Sequence, residues 1–200
     1  DLPYFMIGNQ LGSLVLRQYL ANYGDFVQGA ILLGTCGKQH FIKLKKLIIK
    51  GDVLFKGSMH RSKTVRKNVI NKLFSHDKDS YYQTGDNREM AQYLEDPFTD
   101  FTYTNNAYNE VLELIREVSL NQNIKKIPNY VSILILSGAK DPFGDFGIGP
   151  KWLYDNLKAQ GQKDITLKLY NDSHNDLLHD KQRLEIYQDI LDWLNNRTFI

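Results

Sequence analysis

Apolar positions along the 200-residue chain fall into two kinds. Short, nearly unbroken runs occur at Pro3 to Ile7, Val27 to Leu33, Val131 to Leu136 and Ile165 to Tyr170. Runs of this length bounded by glycine and Asx residues predict strands, with those at Val27 to Leu33 and Val131 to Leu136 buried. Between them, apolar residues recur at helical spacing from Leu11 through Leu20, from about Pro150 to Gln160 and from Lys181 to Asn195. The first strand passes through Gly8 into a helix, Asn22-Tyr23-Gly24-Asp25 stops that helix, and the second strand ends at Gly34-Thr35. Strand, helix, strand at this spacing predicts a parallel crossover unit.

From Cys36 to about Pro128 the pattern changes. No strand of the same kind recurs, and amphipathic segments run over Phe41 to Lys50, Val65 to Phe74, Arg88 to Leu94 and Asn106 to Val118. The expected class is α/β: residues 1–35 and 128–200 form one parallel sheet with flanking helices, and residues 36–127 form a helical insertion between two of its strands.

Composition narrows the picture little. A hydrophobic fraction of 42% with 24% charged residues describes a globular chain with a core, and no apolar run approaches the roughly 20 residues that span a bilayer. The single cysteine, Cys36, excludes an internal disulfide and fits a reducing, cytoplasmic compartment. Net charge is only +2, but its distribution is uneven. Between Lys38 and Lys72 lie Lys43, Lys45, Lys46, Lys50, Lys56, Arg61, Lys63, Arg66 and Lys67 against one acid, Asp52. A basic helix that also carries apolar residues can lie on an anionic membrane surface. Nucleic acid is not expected as a partner, because no recognised binding motif accompanies the charge.

Candidate chemistry sits at the carboxyl ends of the strands, where parallel α/β sheets bind ligands. Gly8-Asn9-Gln10-Leu11-Gly12 has the two glycines of a G-x-S-x-G elbow, which lifts its middle residue above the sheet at the head of a helix. The middle residue here is Gln10. A carboxamide nitrogen has no proton that a neighbouring base could remove, so Gln10 cannot attack as an alkoxide would. Asp141 follows the third strand and His174 the fourth, giving the order nucleophile position, acid, histidine. Ser13 and Cys36 read as structural, and Asp145, Asp172, Asp176, His174 and His179 match no standard metal spacing.

Here the chain resembles a known family. Tyr4 to Leu20 resembles the elbow of the monoacylglycerol lipase and lysophospholipase group of α/β-hydrolases, which includes the serine aminopeptidase-like hydrolases. The group reads G-H-S-M-G-S where this chain reads Gly8-Asn9-Gln10-Leu11-Gly12-Ser13. Ser137 to Gly147 resembles its acid loop, S-G-x-x-D-P-V-G-x-x-G, with Asp141 as the acid, and Asp172-Ser173-His174-Asn175-Asp176 resembles its histidine loop, in which R-H-E-x-L is common. Glu95-Asp96-Pro97-Phe98 resembles the D-P-x element before the last cap helices.

The resemblance implies a carboxylic ester hydrolase acting on a monoacylglycerol or lysophospholipid, with no cofactor and no metal. It implies that residues 36–127 are a cap, that the backbone N–H of Leu11 is half of an oxyanion hole, and that Gln10 lies within hydrogen-bonding reach of His174, which Asp141 orients. Gln10 makes the expected protein catalytically impaired. The competing expectation is a non-catalytic module that holds an acyl ligand or a protein partner. Members of the group carry further strands and an H-G motif before the elbow, so Pro3 to Ile7 is expected to be an apolar edge covered by a preceding segment or a partner chain.

Overall fold

The computed structural model describes residues 2–70, 83–99 and 101–198. Four parallel strands form one sheet in sequential order: β1 (Phe5–Asn9), β2 (Gly29–Leu33), β3 (Ser132–Gly138) and β4 (Ile165–Tyr170). Helix α1 (Leu11–Tyr23) joins β1 to β2, α7 (Ile148–Ala159) joins β3 to β4, and α8 (Arg183–Thr198) follows β4. The expected α/β class is therefore the observed one. β1 runs on through Gly8 and Asn9 because Leu32 and Leu33 of β2 continue beside them, and β3 runs on to Gly138 beside Tyr170.

The register explains why the two central strands, β2 and β3, are buried nearly throughout. Ala30 pairs with Ile133 and Ile31 with Leu134, so neighbouring strands point alike. One face of the sheet sends Ala30, Leu32, Ile133 and Ile135 into a core closed by Leu16 and Leu20 of α1 and Leu153 and Leu157 of α7. The other face sends Ile31, Leu33, Leu134 and Leu136 against Ile186 and Trp193 of α8. A strand covered on both sides has no polar face to alternate, and every residue of β2 is buried.

Between β2 and β3 the regular elements among the described residues are helices: α2 (Ile42–Lys56), α3 (Lys63–Val65) continuing into a wider turn over Arg66–Ile70, α4 (Asn87–Glu95), α5 (Asn105–Val118) and α6 (Asn121–Ile124). The helix expected over Val65 to Phe74 is seen to Ile70, and its remainder lies outside the described residues. Local chemistry sets the helix starts: Asp86 accepts from the Arg88 and Glu89 amides at the head of α4, and Thr104 from Ala107 at the head of α5. Ile42, Ile49, Val65, Tyr108, Leu112 and Ile115 build a second core that takes in Leu14 of α1 and Phe143. No helix among the described residues is long and apolar enough to cross a membrane.

Candidate functional site

The turn between β1 and α1 is a strained elbow. Gln10 has φ 51° and ψ −117°, a conformation that non-glycine residues rarely hold and that costs on the order of 1–3 kcal/mol. Neighbouring contacts enforce it. The Gln10 amide donates to Leu33 O at 2.9 Å, tying the elbow to the end of β2, while the Ser13 amide and hydroxyl both donate to Gln10 O at 2.9 and 2.6 Å. Gly8 lets the strand and helix approach, since a Cβ there would lie 2.5 Å from Gly12 O. Ser13 is fully buried in this structural role. Leu11 opens α1, so its N–H is among the first-turn donors that have no intrahelical acceptor.

Asp141 follows β3 and is fully buried. Its Oδ1 accepts from the Phe143 amide at 2.9 Å and from Asn175 Nδ2 at 3.0 Å. Its Oδ2 is buried with no hydrogen-bond partner among the described residues, as is the nearby Ser137 Oγ. Burial pushes the carboxyl up to about 6, against the pull of Asn175 and the Phe143 and Gly144 amides. The loop carrying residues 173–175 presses onto the end of β3: Lys140 N donates to Ser173 O at 3.0 Å, and a Cβ on Gly138 would collide with the carbonyl oxygens of Ser173 and His174.

His174 does not meet Asp141, and the expected acid–histidine pair is corrected. The next residue, Asn175, reaches the acid, while the His174 backbone N–H and ring Nδ1 face Asp180 Oδ2 at 2.6 and 3.2 Å. Asp180 is fully buried, and its Oδ1 accepts from the Gly85 and Lys181 amides at 3.2 and 2.7 Å. Successive loop residues point apart, so an offset of one exchanges their partners. Nor does Gln10 bond His174: its Nε2 donates to Gln83 Oε1 at 3.2 Å. Gln83 O in turn accepts from the Asp176 amide at 2.7 Å, which brings residue 83 of the helical insertion over both the elbow and the loop after β4.

Sequence reading missed Asn175, Gln83 and Asp180. For Asn175 a signal was present: R-H-E-x-L set against His174-Asn175-Asp176-Leu177-Leu178 matches the acid and the last leucine, and places His174 under the arginine and Asn175 under the histidine. No group of residues that could hold a metal occurs among the described residues.

The fold is similar to that of known proteins. The family model described as serine aminopeptidase, S33, matches residues 1–182. No curated protein matches the chain. Among solved structures, a highly thermostable carboxyl esterase from Bacillus coagulans in complex with glycerol superposes with TM-score 0.85 at 23% identity, over 99% of this chain and 66% of its own. A soluble variant of monoglyceride lipase from Saccharomyces cerevisiae, in complex with a substrate analog, gives 0.72 at 18% over 99% and 63%. A monoacylglycerol lipase from Paleococcus ferrophilus gives 0.69 at 16% over 98% and 69%. The chain spans about two thirds of the length of these structures.

Proposed function

The chain belongs to the serine aminopeptidase S33 family of α/β-hydrolases, and from that premise we propose that it is an ester-hydrolase scaffold with a silenced site. The ligand class is a monoacylglycerol or lysophospholipid, held beneath residues 36–127 acting as a cap. The observation that carries this reading is Gln10. It occupies the strained tip of the elbow, where the fold presents a nucleophile, yet its side chain holds no removable proton and is engaged by Gln83. The Leu11 amide at the head of α1 is the donor available to an ester carbonyl oxygen.

A binding role without turnover accounts for the same geometry, and the Gln10–Gln83 contact favours it. That bond ties the elbow to the insertion by two neutral amides, neither of which is set to transfer a proton. At the sheet edge, Tyr4 and Ile7 are half exposed and α1 presents Val15 and Tyr23 outward, which supports cover by a further segment or a partner chain.

The cap also offers a surface. On α2, Ile42 and Ile49 turn inward, while Leu44, Leu47, Ile48, Leu54 and Phe55 turn outward. Lys46 and Lys56 are engaged by Glu113 and Asp52, and Lys43 and Lys50 flank the apolar stripe exposed. This supports peripheral contact of a cytoplasmic protein with an anionic membrane.

The test is fluorophosphonate labelling and monoacylglycerol turnover of the protein, with native mass spectrometry alongside. The expected result is no label, no turnover above buffer and a retained acyl ligand. Labelling at any residue, or turnover abolished by Gln10→Ala, overturns the silenced reading.

A further inference from the structure

We propose that Asn175, rather than His174, stands in the place of the triad base, so that the site is a triad altered at two positions around a retained acid, Asp141. The proposal rests on the silenced-hydrolase reading above.

Three observations carry it. First, a triad acid is a buried carboxylate that accepts a hydrogen bond from the base and fixes its orientation. Asp141 is such a carboxylate, and its side-chain donor is Asn175 Nδ2 at 3.0 Å. Second, the chemistry of the replacement matches. In asparagine and histidine alike, Cγ bears a nitrogen that donates a proton, Nδ2 in one and Nδ1 in the other. Asn175 keeps the half of an imidazole that faces the acid and lacks the half that would take a proton from a nucleophile. Third, His174 is committed elsewhere. Its backbone and its ring both meet Asp180, and the ring lies against Gly85, where a Cβ would come within 2.9 Å of Cε1. Asp180 and Gly85, with Thr84 bonded to His179 O at 2.7 Å and Asp86 to Arg183 at 3.1 Å, fasten the insertion to the loop after β4. His174 thus belongs to a latch between two segments.

Gln83 links the segments that carry the two altered positions. Gln83 accepts from Gln10 Nε2 through its side chain and from the Asp176 amide through its carbonyl, so it bridges the elbow to the residue next to Asn175. A serine at one end and an imidazole at the other would flank the space that Gln83 overlies.

The experiment begins with the single variant Asn175→His in the full chain. Its proton NMR spectrum is expected to gain a low-field imidazole N–H resonance that is lost when Asp141→Asn is added and kept when His174→Ala is added. Absence of that resonance in a folded variant overturns the proposal. The second arm is fluorophosphonate labelling of Gln10→Ser, alone and combined with Asn175→His. In the reaction the serine Oγ bonds to phosphorus, fluoride leaves, and the hydroxyl proton passes to the free ring nitrogen of the new imidazole.

The combined variant is expected to label at least about 10²-fold faster than Gln10→Ser alone, the smallest usual contribution of a positioned general base. Labelling of Gln10→Ser that His174→Ala abolishes would identify His174 as the base and sink the proposal. If the resonance appears but the combined variant stays inert, the placement of Asn175 stands and the ester-hydrolase reading is what fails. Should Asn175→His not fold, carbon NMR of Asp141 decides. Its titration is expected to move upward in Asn175→Ala and to stay in place in His174→Ala; the reverse pattern overturns the proposal.

Discussion

Asp141 is held as a carboxylate in surroundings that do not favour one. It is fully buried and is pushed up to about 6 by that burial, with one oxygen unpartnered among the described residues. A carboxyl whose folded value lies above its ordinary value near 4 binds its proton more tightly folded than unfolded. Its contribution to stability therefore declines as pH rises from about 4 to about 6, and is lowest above that range. A separation of about two pH units at about 1.4 kcal/mol each is on the order of 3 kcal/mol. Asp141→Asn keeps an oxygen for Asn175 and Phe143 and offers an N–H on the side of Ser137 Oγ, across Gly144, from whose position a Cβ would lie 3.2 Å from each. The variant is expected to be more stable than the parent by about 2–3 kcal/mol at pH 8 and equal to it near pH 4, by urea unfolding at both values. Equal stability at pH 8 would show the carboxylate to be solvated. At this scale the strand-end positions of Gln10, directly after β1, and Asp141, three residues after β3, were legible in the sequence, because the apolar runs fix where the chain emerges. The histidine position was not, since the loop after β4 has no periodicity to set its register, and one residue separates the latch at His174 from the acid's partner at Asn175.

Among the elements, α2 departs most from what burial alone would produce. Its inward residues Ile42, Ile49 and Val53 suffice to hold it on the insertion's core, yet Leu54 and Phe55 are 83% and 89% exposed at the opposite face. Gly51 lies between them and Leu44, Leu47 and Ile48, and leaves the stripe open where a side chain would otherwise project. Inserting two such side chains among acyl chains is favourable by about 1.5–3 kcal/mol each, and each lysine near an anionic surface adds about 1 kcal/mol. The protein is expected to sediment with vesicles containing phosphatidylserine and to be released by high salt. Leu47→Glu with Leu54→Glu is expected to weaken that binding at least tenfold without changing the thermal midpoint. Equal sedimentation of the variant would assign the stripe to another partner. The elements themselves were legible wherever an apolar run or a helical period was long, as in β4, which spans Ile165–Tyr170 as expected, and α5, which begins one residue early. The carboxyl ends of β1 and β3 ran on where a neighbouring strand continued to pair, a cause that lies in the partner and not in the local residues, while α2 ran on from the expected Lys50 to Lys56.

At the scale of the whole molecule, the question is what fixes the insertion to the sheet so that Gln83 can overlie Gln10. Arg17 of α1 is central to that junction. Its guanidinium is almost fully buried, donating to Cys36 O at 2.7 Å and Thr35 Oγ1 at 3.3 Å just past β2, and to Val118 O at 2.8 Å at the end of α5. These acceptors are neutral, and burial lowers Arg17 to about 10, leaving it charged at neutral pH. The C-terminal end of a helix favours a cation, and the planar fork reaches two separate carbonyl groups at once. None of this was legible in the sequence, because backbone carbonyls carry no residue identity and the junction joins segments about a hundred positions apart. An ammonium gathers its donors at one point on a differently shaped stem, so Arg17→Lys is expected to lose one of the two bonds that the fork makes to Cys36 O and Val118 O. One buried carbonyl left unpaired costs about 1–3 kcal/mol. The variant is expected to lose that much stability in urea unfolding, and amide hydrogen exchange in α5 is expected to quicken more than in β2 and β3. Uniform quickening throughout the chain would mean that Arg17 supports the sheet itself, and that the insertion is held over Gln10 by its other contacts, the latch at Asp180 among them.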